Sequence, residues 1–168
     1  LPAFHGLLLE YMFLSSETFG DGLRHALRYV RLLSDSLSAK LQVEGDVATL
    51  IMGMSAEGPR HFPEMLAGAV IRLFSALTEG DFKPHEAQFI HPQGAPLQRY
   101  AEVYGCPVSF AQPHYALVFD AAVLSKASRH AAPELLQMHE SLARRQLVEV
   151  ERLDLVRQVR ALIAELLV

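Results

Sequence analysis

Two alternating, β-branched runs, Ala39 to Val43 and Val47 to Met54, stand on either side of Glu44-Gly45-Asp46. A connection that short joins strands only as antiparallel neighbours, so the chain is committed to an antiparallel pair. Helical periodicity surrounds that hairpin. From Thr18 to Leu37 apolar residues fall at Phe19, Leu23, Leu27, Val30, Leu33 and Leu37, the three- and four-residue steps of one buried stripe. Thr18 is placed to accept from the Asp21 amide while Asp21 reaches back, and a negative charge suits that helix end. Gly20 and Gly22 each weaken the first turn by about 1 kcal/mol relative to Ala, which makes sense if another backbone or a ligand approaches closely there.

Beyond the hairpin, Gly58-Pro59 breaks the pattern and a second helix is predicted from His61 to Thr78, ended by Gly80. Its stripe of Phe62, Leu66, Ala69, Val70, Leu73 and Leu77 is the cleanest in the chain and reads as core. His85 to His91 alternates as a strand, with Ala87, Phe89 and His91 on one face and Gln88 and Ile90 on the other. Pro96 to Tyr104 reads as a short helix stopped by Gly105. Strands Val108–Ala111 and Tyr115–Asp120 follow. From Pro133 onward the chain is helical, in two pieces meeting near Arg152–Asp154. Short turns between strands predict an α+β fold: a largely antiparallel sheet of about five strands, helices packed on one face, and a C-terminal helical segment. Residues 1–132 then form one α+β domain and 133–168 a helical dimerisation or linker segment.

Of the 168 residues 51% are hydrophobic and 20% charged, with a net charge of −4. Such a chain can bury a core and lacks the basic face that holds nucleic acid. Five arginines stand against six acids from Pro133 to Val168, so no basic tail is hidden there. A single cysteine, Cys106, excludes an internal disulfide and a Cys-rich zinc site, and fits a cytoplasmic setting. No apolar run reaches the length of a membrane span. The opening Leu1-Pro2-Ala3-Phe4 and the unpunctuated apolar run closing the chain are expected to be cut ends.

Catalytic templates are absent: no phosphate-cradling Gly-rich loop, no His-Glu-x-x-His, no Gly-x-Ser-x-Gly. Cys106 beside a histidine such as His91 or His114 is the one arrangement an enzyme could use, against the plainer reading of a small buried hydrophobe between Gly105 and Pro107. Eight histidines raise a metal hypothesis. His85 and His91, on one strand face, are roughly 20 Å apart and cannot share an ion. No metal and no cofactor is expected. Candidate polar contacts for a small molecule are Ser15, Ser16, Arg31, Gln88, His91, Tyr100, Tyr104 and His114, with Phe89 beside them. The Arg31 guanidinium is suited to a carboxylate, or to an ion pair with Asp35 one helical turn on. Leu135, Met138 and Leu142 form a face for self-pairing or for capping the domain's own sheet. A ligand-free oligomerisation module is a third alternative.

Several stretches carry a family resemblance: Leu14-Ser15-Ser16-x-Thr18-x-Gly20-x-x-Leu23, Tyr29-x-Arg31-Leu32-Leu33-Ser34-Asp35, Phe89-x-His91-Pro92, and Tyr104-Gly105-Cys106-Pro107-Val108-x-Phe110. Ala116-Leu117-Val118-Phe119, Leu124 and Asp154-Leu155-Val156-x-x-Val159-Arg160-Ala161-Leu162 complete the set. In order and spacing they resemble the N-terminal, effector-binding (arabinose-binding-like) domain of AraC/XylS-type transcription regulators. The resemblance implies a homodimeric cytoplasmic regulator that senses a small-molecule effector of unknown identity. It also implies that DNA is contacted only through a C-terminal helix-turn-helix domain that this chain lacks.

Overall fold

The computed structural model describes residues 7–54, 59 and 61–166. The opening Leu1–Phe4, the break expected at Gly58 and the final Leu167-Val168 lie outside them. The first described element is α1 (Leu8–Ser15), a helix that alternation and striping did not single out. The Glu10 carboxylate accepts the Leu7 N–H at 3.1 Å and closes its first turn. At the other end the Ser15 and Ser16 hydroxyls donate back to the Tyr11 and Met12 carbonyls.

Helix α2 (Phe19–Arg28) is capped as expected at Thr18, whose Oγ1 accepts the Asp21 N–H at 3.1 Å. Asp21 does not reach the Thr18 backbone: its carboxylate accepts the Thr18 hydroxyl at 2.6 Å and Arg24 at 2.8 Å, and these bonds hold its pKa below the usual carboxylate range. The expected continuation to Leu37 fails. Tyr29 leaves helical geometry (φ −113°, ψ 16°) and a single 3₁₀ turn, Val30–Leu32, follows. The break turns the buried Tyr29 ring away from the sheet, into a second apolar cluster with Leu9, Met12 and Ala143.

Strands β1 (Ser38–Glu44) and β2 (Val47–Gly53) form the expected hairpin, with Gly45 at φ +59° in the turn. Helix α3 (His61–Leu77) is followed by β3 (Pro84–Gln88), α4 (Leu97–Tyr104), β4 (Val108–Ser109) and β5 (Tyr115–Asp120). Sheet order is β1-β2-β5-β3-β4, antiparallel throughout except for the short β3–β4 pair. One register row crosses it: Leu41, Leu50, Leu117, Ala87 and Val108. That face carries the core, where Phe19 of α2 and Phe74 of α3 meet Phe13 of α1, Phe82 of the loop before β3 and Phe119 of β5. The opposite face is polar at Lys40, Gln42, Thr49, Glu86 and Gln88.

Two strand expectations are corrected. A register shift between Pro84 and Glu86 throws His85 out to solvent, so it does not share the face of the half-buried His91. β3 also ends at Gln88: the Phe89 N–H donates to Ser109 of β4, and the carbonyls of Phe89 and His91 accept from Gln112 and Ala111 in the loop after it. After a 3₁₀ turn at Ala121–Ser125, α5 runs unbroken from Pro133 to Leu166 with no joint near Arg152. It packs against α1 and the first 3₁₀ turn. Among the described residues no helix is long and apolar enough to cross a membrane.

Candidate functional site

The stripe expected to form the core of α3 is displaced from it. Pro63, Ala67, Gly68 and Phe74 are the buried positions of that helix, whereas Leu66, Val70, Leu73 and Leu77 are half-buried and Phe62 is exposed. Leu27, Val30 and Leu33 of the α2 segment are likewise only partly covered or exposed. These two incompletely buried stripes face a shared cleft of about 150 Å³. The sheet lines it at Leu50 and Met52, with the buried Phe13, Leu23 and Phe74 beside them. Polar groups are scarce in this wall: among the described residues only Glu10 and Ser38 contribute charged or hydroxyl side chains. Glu10 is already engaged at the start of α1.

None of the nine ligand candidates named from the sequence lines that cleft. Ser15 and Ser16 are buried at the end of α1, and Ser16 also lies 3.3 Å from His25 Nδ1. Arg31 does not turn to Asp35; its Nη2 donates to Asp154 Oδ2 of α5 at 2.5 Å, with Glu151 at 4.0 Å. His114 is exposed in the turn before β5.

Phe89, His91 and Tyr104 do come together, around a residue that sequence reasoning missed. Glu64, in the first turn of α3, accepts the Tyr100 hydroxyl on its carboxylate at 2.9 Å and the Tyr104 hydroxyl on its backbone oxygen at 2.9 Å. His91 Nε2 is 3.7 Å from the same carboxylate, buried and without a hydrogen-bond partner, while Nδ1 is 3.0 Å from the Pro92 carbonyl. Rings of Phe89, Phe110 and Tyr115 close around the imidazole. Burial pushes the Tyr104 phenol up. This cluster clamps α3 and α4 to the end of β3. Among the described residues no three His, Cys, Asp or Glu side chains are arranged to hold a metal ion.

Cys106 is buried beneath Gly105, which caps α4 at φ +70° as expected. Burial raises its thiol to about 11, the opposite of what a nucleophile needs. Gln88 donates to Glu86 on the polar sheet face.

The second feature is the polar seam between α2 and α5. Arg28 Nη1 and His25 Nε2 lie 3.2 Å and 3.6 Å from Glu140, and Arg31 reaches Asp154 further along. Away from that seam α5 exposes Leu135, Met138 and Leu142, then Val156, Val159 and Ile163.

The family described as the arabinose-binding domain of AraC transcription regulators, N-terminal, matches residues 1–127. The chain is 29% identical over 139 residues to the ornithine utilization regulator of Pseudomonas aeruginosa, covering 81% of this chain and 41% of that protein. Its fold matches the crystal structure of the transcriptional regulator CdpR from Pseudomonas aeruginosa with a TM-score of 0.69 at 16% identity, over 79% of this chain and 44% of the other. The chain thus spans less than half the length of these two regulators.

Proposed function

This chain belongs to the arabinose-binding-domain family of AraC transcription regulators, and from that premise we propose that it senses a metabolite and passes occupancy to α5. The observation that carries this reading is the cleft, walled on one side by α2 and the 3₁₀ turn, which hold α5 on their other side. In this proposal residues 1–132 are the sensor, residues 133–168 are the dimerisation and linker segment, and DNA is read elsewhere in a longer, cytoplasmic regulator. A thiol enzyme is disfavoured by the buried, high-pKa Cys106. If hydrogen exchange along α5 is the same with and without a ligand that raises the melting temperature, the relay is wrong.

Self-pairing is supported by the outer side of α5. Leu135, Met138, Leu142, Arg145, Glu149, Arg152, Val156, Val159 and Ile163 follow a three-four spacing, apolar at both ends and charged in the middle. A parallel pair would set each of these charges against its own copy. An antiparallel pair instead sets Glu149 against Arg152 of the second copy, twice, and matches apolar end to apolar end. Sedimentation should show Glu149→Arg weakening the dimer and Glu149→Arg with Arg152→Glu restoring it. A double swap no better than the single one refutes this register.

A further inference from the structure

We infer that the cleft takes an uncharged apolar ligand, a single aromatic ring or a short alkyl chain, and excludes sugars and charged amino acids. The inference rests on the sensing reading and specifies its chemistry. Leucines, valines, phenylalanines, alanines and Met52 make almost the whole of the described wall, with Glu10 and Ser38 the only charged or hydroxyl-bearing side chains among the described residues. A pentose carries an oxygen on every carbon, and each one buried without a partner is penalised by its lost hydration. A free amino acid brings two opposite charges, for which the described wall offers no cationic partner. An apolar guest meets no such penalty. The cleft is partly open to solvent, and its volume of about 150 Å³ has room for a benzene-sized molecule.

The protein itself indicates that the space is meant to be covered. Leu66, Val70 and Leu73 on α3 and Leu27, Val30 and Leu33 on the α2 segment present two apolar stripes to one gap, and the chain leaves them half-buried or exposed. A guest between them completes the burial that both helical patterns call for.

The test is a melting-temperature series on the full chain with toluene, indole and hexan-1-ol, against L-arabinose and L-ornithine. A ligand at a hundred times its dissociation constant should raise the melting temperature by about 5–10 °C. The apolar probes should do so, the sugar and amino acid should not, and Val70→Phe should abolish the shift. Should that variant not fold, an iodobenzene soak of wild-type crystals supplies the second reading, with anomalous iodine density expected between Leu27, Leu66 and Met52. Stabilisation by arabinose or ornithine but by none of the apolar probes overturns the ligand class and leaves sensing intact. Failure of every compound together with absent iodine density overturns the inference. So does density from the chain's own residues filling the cleft without any probe; in either case sensing is judged separately, by the α5 exchange measurement.

Discussion

Gly20→Ala offers a severe test of how α2 is seated, because two physical effects of opposite sign compete there. Ala is the better helix former by about 1 kcal/mol, and on propensity alone the variant should be more stable. A steric clash opposes that gain and outweighs it. A Cβ built on Gly20 would lie 2.7 Å from the Leu124 carbonyl oxygen and 3.1 Å from Leu124 Cβ. The oxygen belongs to backbone pinned close by: Lys126 accepts the Phe19 N–H at 2.8 Å, and Thr18 bridges to Ala127. Relief therefore needs α2 to lift, not a side chain to turn. Overpacking of that kind costs about 1–3 kcal/mol; against a backbone oxygen that cannot turn aside the upper part of that range applies, about 2–3 kcal/mol, leaving a net loss of about 1–2 kcal/mol after the propensity gain.

Urea unfolding should resolve the loss, accompanied by a fall of roughly 2–8 °C in melting temperature. Leu124→Ala should not rescue it, since the nearest obstructing atom is a backbone oxygen. Gly45→Ala is the contrasting case: nothing lies within 4 Å of its added Cβ, and only the left-handed φ of +59° penalises it, by about 1–2 kcal/mol. A Gly20→Ala protein as stable as wild type, or more so, would show that α2 is not held against the Ala121–Ser125 turn.

Two further outcomes follow from the polar seam and the thiol. A double-mutant cycle of Arg31→Ala and Asp154→Ala should give a coupling of about 0.5–1 kcal/mol, modest because the Arg31 side chain is 42% exposed; zero coupling would mean the contact does not hold α5 in solution. Iodoacetamide should alkylate Cys106 at pH 8 about a hundredfold more slowly than a free thiol, from its raised pKa alone, and reaction at the free-thiol rate would refute its burial.

Local chemistry was the legible part of this fold. Thr18 capping α2, the hairpin about Gly45, the left-handed stop at Gly105 and the limits of β5 are each decided by a few adjacent residues. What escaped was decided by distant partners. Tyr29 ends α2 because its ring is claimed by Leu9, Met12 and Ala143, the last more than a hundred residues away in sequence. His85 is turned outward by a register shift that period-two alternation does not encode. Glu64 has no distinguishing mark in the sequence; only the fold brings Tyr100, Tyr104 and His91 to it. The cleft was invisible for a subtler reason. A stripe such as Leu66, Val70 and Leu73 spells burial in sequence, but periodicity does not say whether protein or ligand provides the cover.

The same ambiguity bears on α2 as the proposed relay. It is ten residues long, too short to be stable by itself, so its position is set by what packs on its two sides. On one side Leu23, Ala26 and Leu27, with Val30 just beyond its end, face the cleft. On the other, His25 and Arg28, with Tyr29 and Arg31 following, hold α5. A guest in the cleft adds apolar contact to the first set only, and it shifts α5 only by the difference in its affinity for the two seatings of this segment. A tenfold preference is about 1.4 kcal/mol, comparable to one or two of the exposed ion pairs along the seam. On the proposed relay, a ligand with that preference would match the seam in strength and could shift the seating of α5. A rigid, fully buried α2 continuing to Leu37, as its sequence pattern alone would have it, could not be moved at that scale.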